Sequence, residues 1–191
     1  MENQEINKID TTNLLLNFFK KKQKYLYVVL ILVILILISF FYLDHRKENL
    51  NLKASDNYNY AKILIDQEKL DKSKKILTSL IKDDSGFHSA LALNLIIDQD
   101  LEKDQNKIVE FFEIVLKKRN LDNENKNLIR LKKAMYVSNY KSEQEILKIL
   151  NPVINSNSIW KGNSINFLKQ YYLSQGENEK AKQFEKALKN N

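Results

Sequence analysis

Two histidines, one tryptophan and a run of alternating carboxylates are the residues best equipped for chemistry in this chain. His45 and His88 each stand without a second histidine or a carboxylate at ligand spacing, so neither begins a metal site. Asp98, Asp100, Glu102 and Asp104 alternate like a calcium-binding loop. The central glycine that such a loop needs for its sharp turn is missing, and Val109 stands where the closing bidentate glutamate belongs. The run reads as an acidic turn between helices. Asp83 and Asp84 are adjacent carboxylates, but turn chemistry accounts for them without a general acid and base. The absence of cysteine removes thiol nucleophiles, zinc-thiolate sites and disulfides together. No glycine-rich phosphate loop, G-x-S-x-G or H-E-x-x-H occurs. Trp160 reads as a packing residue at the start of a helix. The expectation is a protein that is not an enzyme, with no catalytic residue, cofactor, metal or small-molecule substrate.

The elements around these residues are dominated by one stretch, Tyr25 to Leu43. It runs for 19 residues without a charge, and 15 of them are Leu, Ile, Val or Phe. At the helical rise they reach about 28 Å, close to the roughly 30 Å hydrocarbon core of a bilayer. The stretch predicts a transmembrane helix. Lys20, Lys21, Lys22 and Lys24 crowd its N-terminal edge, whereas the other edge reads Asp44, His45, Arg46, Lys47, Glu48. That asymmetry predicts a cytoplasmic N-terminus, with Tyr25, Tyr27, Phe40, Phe41 and Tyr42 at the interfaces. A cleaved signal peptide is the competing reading. Against it, the apolar run exceeds the roughly 7 to 15 residues of such a segment, and no small-residue cleavage site follows.

Three parts result: a tail over 1–24, a span over 25–43 and a domain over 44–191. In the tail, Asp10, Thr11 and Thr12 offer N-cap side chains ahead of Leu14, Leu15, Leu16, Phe18 and Phe19, so a brief helix is expected to start there. The lysines that follow suit either an anionic inner leaflet or a topology signal alone. Of the net charge of +7, five lysines against three acids place +2 on the first 43 residues and leave +5 on the rest. Basic and acidic residues alternate, as in KLDKSKK and GENEKAKQFEK, which describes a solvated, ion-paired surface. Nothing there resembles a stripe built for nucleic acid.

The periodicity beyond the span is helical throughout, and the glycines and the single proline fall where helix boundaries are expected. Helices are predicted over Glu48 to Glu68 and Leu70 to Lys82, closed by the DDSG turn. Ala61, Leu70, Ser73 and Leu77 then have counterparts 31 residues later in Ala92, Leu101, Asp104 and Ile108. A third pair is read over Leu128 to Tyr140 and Glu143 to Leu150, ended by Asn151 and Pro152. The fourth spans Ile165 to Ser174 and Glu177 to Leu188. The expected class is all-α, about four degenerate helix pairs after one transmembrane helix.

These pairs resemble the tetratricopeptide repeat. Leu168, Tyr172, Gly176, Ala181 and Leu188 have the family's spacing, as do Ala61, Leu70, Ser73, Leu77 and Leu80. Lys169 and Glu68 depart from it, standing where a small residue and a glycine belong, and the 31-residue interval is shorter than usual. The resemblance implies a solenoid whose units stack to form one core and leave a concave face. Transferring the groove positions of the repeat gives Ser55, Tyr58, Lys62 and Ile65, then Ser89, Leu93 and Ile96, then Asn166, Gln170 and Leu173. Some of these would be core if the units close on one another.

The order of parts resembles the YfgM-type family, ancillary subunits of the bacterial SecYEG translocon. NFFKKKQKY leads into one span, a polar helix bears Ala54, Tyr58 and Ala61, and Trp160-Lys161 opens a segment running to QGENEKAKQFEKAL. That likeness implies a single-pass inner-membrane protein with its repeat domain in the periplasm. It also implies protein partners: translocon subunits, a membrane-anchored chaperone of the PpiD type and unfolded clients. The alternative is a static envelope scaffold joining folded partners in wall synthesis or division.

Overall fold

The computed structural model describes residues 2–83 and 85–189, with side chains described for residues 24–25, 27–83 and 85–184. Among the described residues every regular element is a helix: α1 (Glu2–Asp66), α2 (Leu70–Lys82), α3 (Gly86–Asp98), α4 (Gln105–Leu116), α5 (Asn123–Val137), α6 (Glu143–Ile154), α7 (Lys161–Ser174) and α8 (Asn178–Lys189). The chain forms two compact units, one ending at Asn49 and one beginning at Leu50.

In the first unit, α1 is already helical at Glu2, so the start expected at Asp10 to Thr12 does not occur. Its apolar stretch is long enough to cross a membrane, with a mean hydropathy of 2.7. Every described side chain from Tyr27 to Leu43 is exposed. Burying such a surface needs an apolar surrounding that this unit does not itself supply. Lys24 is exposed, while the side chains of Lys20, Lys21 and Lys22 lie outside the described residues. So do Asp84 and the side chain of Leu188.

In the second unit each helix from α2 to α8 packs on its neighbours in that series, with further contacts between α2 and α4 and between α5 and α7. The sequence explains the faces. In α2, spacings of three and four residues put Ser73, Leu77, Leu80 and Ile81 on one buried side. Ala54 and Ala61 of α1 are small enough for close approach, and the Ser73 hydroxyl donates to the Ala61 carbonyl at 2.9 Å. They join Leu93, Ile96, Phe111, Phe112 and Val115 in a first core. A second core gathers Leu131, Ala134, Ile146, Leu150, Leu168, Tyr172 and Ala181. Tyr136 packs against both.

Helix ends follow local chemistry. Asp104 caps α4 through the Asn106 and Lys107 amides, and Asp122 caps α5 through Asn125, starting that helix well before Leu128. Ser142 and Glu145 form a reciprocal capping box on α6. At Glu68, Asp100 and Gly176 the backbone is left-handed, with φ of 59°, 52° and 76°. Each closes a helix the same way: Lys69 N–H donates to the Leu64 carbonyl, Leu101 to Ile96 and Glu177 to Tyr172. This is the Schellman arrangement.

Two expectations fail here. Helix α6 continues through Pro152 to Ile154, because proline sacrifices one amide while the last turn buries Val153 completely. The 31-residue correspondence also breaks in its second half. The link from α1 to α2 is Gln67 to Lys69, whereas that from α3 to α4 is Gln99 to Asp104. Ser73 therefore sits within α2 while Asp104 is a cap.

Candidate functional site

The acidic run shows what this chain does with its carboxylates. Glu102 is almost buried, its side chain 7% exposed, and its Oε2 lies 3.1 Å from both the Lys74 and the Lys107 ammonium. Its Oε1 accepts the Asp104 amide at 3.2 Å. Burial alone would raise the carboxyl; the Asp104 amide and the two lysines outweigh it and bring the pKa down to about 2. Asp100 pairs with Lys103, and Asp104 is occupied as a cap. Among the described residues no group of histidine or carboxylate side chains could hold a metal ion.

The histidines are locally engaged. His45 contacts Asn49 at 3.1 Å, and His88 Nδ1 lies 2.8 Å from the Ser85 hydroxyl. Trp160 precedes α7 and packs against the second core. Another network joins three helices: the Tyr172 hydroxyl donates to Glu143 at 2.7 Å, and Lys180 reaches both Glu143 oxygens at 2.9 and 2.8 Å. The Lys180 hydrogen bond, then that from Tyr172, holds the Glu143 carboxyl below its ordinary value.

The groove positions inferred from the repeat do not behave as one lining. Ser89, Leu93 and Ile96 are wholly buried, with the Ser89 hydroxyl turned onto the Leu80 and Ser85 carbonyls at 2.7 Å each. They are core, because α3 is enclosed by α2 and α4 and contributes few exposed side chains. Tyr58 and Ile65 are half-buried against the first core, and burial followed by the nearby Asp98 charge raises the Tyr58 hydroxyl. Ser55 is half-buried; Lys62, Asn166, Gln170 and Leu173 are exposed.

A different concavity lies between α4, α5 and α6, with a volume of about 400 Å³. Helix α4 presents Val109, Glu113 and Leu116; α5 presents Arg130, Lys133 and Val137; Ile149 and Pro152 of α6 close the far wall. Spacings of three and four residues put Val109, Glu113 and Leu116 on one side of α4 and Glu145, Lys148, Ile149 and Pro152 on one side of α6, and Lys141, Glu145 and Lys148 are exposed. Lys133, only 10% exposed, pairs with Glu113, and Lys141 lies 3.4 Å from Glu145. Arg130 donates to the Asn127 side-chain Oδ1 at 2.8 Å. Neither Arg130 nor Lys148 has a carboxylate partner among the described residues. The result is a partly apolar concavity lined by two cations that lack a carboxylate partner among the described residues.

Sequence reasoning missed this groove because its walls come from second helices as well as first ones. The available signal was the spacing of Glu145, Lys148, Ile149 and Pro152 on one side of α6. Compared with known protein families, curated proteins and solved structures, the chain matches none.

Proposed function

We propose that this chain is a membrane-anchored protein-interaction subunit, a tetratricopeptide-like helical domain carried by a single transmembrane helix. The observation that carries this reading is the presence in one chain of a membrane-length apolar stretch, exposed at every described side chain from Tyr27 to Leu43, and a helical unit presenting an open, partly apolar groove. The basic edge at Lys20 to Lys24 supports a cytoplasmic N-terminus and a domain on the far side. The three Schellman turns and the order of contacts between helices support a repeat-like origin. Within this reading the chain serves as a periplasmic accessory of the SecYEG translocon, resembling the YfgM-type family, and docks a chaperone or holds emerging polypeptides.

One observation favours a scaffold between folded partners instead. The burial of Ser89, Leu93 and Ile96 interrupts the long concave lining that loose handling of clients would use. Photocrosslinking in cells separates the two, with probes placed at Ile34 in the span and at Tyr58 in the domain. Translocon subunits captured at Ile34, with nascent chains or a chaperone at Tyr58, are the expected result. Capture of one folded wall-synthesis or division protein would replace the translocon reading with the scaffold. Translocation of the N-terminus would overturn the orientation.

A further inference from the structure

Resting on the reading of the domain as an interaction module, we propose that the groove between α4, α5 and α6 binds a short acidic amphipathic segment of a partner protein. Charge complementarity selects that occupant. Lys133 is neutralised by Glu113 and Lys141 faces Glu145, but Arg130 on α5 and Lys148 on α6, which line the same groove, have no carboxylate partner among the described residues. The same groove is lined by Val109, Leu116 and Ile149, which offer apolar contact to inserted side chains. A helical segment with leucines at three- and four-residue spacing would set those side chains on the floor and its carboxylates against the two cations.

The shape favours a peptide over a free small molecule. Lys141, Glu145, Lys148 and Pro152 are exposed, so one side of the groove is open, whereas small-ligand sites enclose most of their occupant. A basic segment would meet the same two charges with repulsion, which gives the site a sign preference.

The test uses the full chain in nanodiscs and a fluorescein-labelled amphipathic peptide of leucine and glutamate, with its leucine–lysine counterpart as control. The glutamate peptide is expected to bind in a salt-sensitive manner and the lysine peptide is not. Combining R130Q with K148Q should weaken binding at least about fivefold, as expected for loss of one half-buried and one exposed charge pair. The charge reversal K148E, at an exposed helix position, should weaken it further while helicity stays unchanged. Equal binding of both peptides, no binding, or indifference to the rim substitutions would overturn the proposal. Binding of laurate with the same sensitivity, and none of the peptide, would assign the groove to a fatty anion and equally overturn it. Crosslinking from Ile34 and Tyr58 judges the interaction-module reading separately, so failure of the groove is distinguishable from failure of that reading.

Discussion

At Glu102 a carboxylate is taken almost out of water and still stays ionised, because one backbone amide and two lysines compensate it. Removing its charge leaves Lys74 and Lys107 partly desolvated without their common partner. Glu102→Gln is expected to cost about 1–3 kcal/mol at neutral pH. The folded-state pKa of about 2 lies below the ordinary glutamate value. The contribution is therefore fully present above that ordinary value and fades as the pH falls from there to about 2. Thermal melts of both proteins at pH 7 and pH 2 check this; a gap that stays constant over the interval would contradict it. Gly86 is constrained differently. A Cβ there would stand 2.8 Å from the Leu121 amide nitrogen and 2.6 Å from Asn120 Oδ1, at a backbone that cannot easily yield. Gly86→Ala should lower stability by about 1–3 kcal/mol, while Gly162→Ala, with open space around it, should be neutral or slightly stabilising.

Among the elements, the helix-closing turns make the sharpest prediction. Glu68 and Asp100 hold left-handed backbone that glycine adopts without cost, and Gly176 occupies the same place in the last turn of its kind. Glu68→Gly and Asp100→Gly are expected to stabilise the domain by roughly 0.5–1 kcal/mol each, and Gly176→Ala to destabilise it by about 1 kcal/mol. Urea titrations would read all three, and a loss of stability in both glycine variants would show that side-chain contacts outweigh backbone strain. The capping box on α6 is a separate element-scale term. Ser142→Ala removes the hydroxyl that accepts the Glu145 amide and should cost about 1 kcal/mol.

On the scale of the whole molecule, the apolar stretch of α1 is long enough to cross a membrane, and its proposed role as the anchor is open to a direct test. Replacing both Ile34 and Leu35 with lysine puts two charges at the middle of the span, each opposing insertion by about 3 kcal/mol. The double variant should be extracted by alkaline carbonate from membranes that retain the original chain. Retention of both would mean that something other than this helix holds the protein there. The second unit keeps two cores, with Tyr136 touching each, so its cohesion rests on contacts between consecutive helices.

Helical class, the apolar span and most helix positions were legible because they depend on local composition and on three- and four-residue spacing. Leu77 and Leu80 in α2 and Ile146 and Leu150 in α6 carry that spacing in plain view. The caps at Asp104 and Ser142 depend only on their own side chains and the next three amides, yet they went unread, because the 31-residue correspondence had matched Asp104 to the helical Ser73. The tertiary structure alone decided which faces remain open. Leu93 and Ile96 are apolar residues on a first helix, and whether they line a groove or fill a core depends on how closely α2 and α4 approach α3. Likewise, Arg130 and Lys148, neither with a carboxylate partner among the described residues, come to line one concavity only when α5 and α6 pack together, because distance between helices, unlike spacing along one, is set by packing.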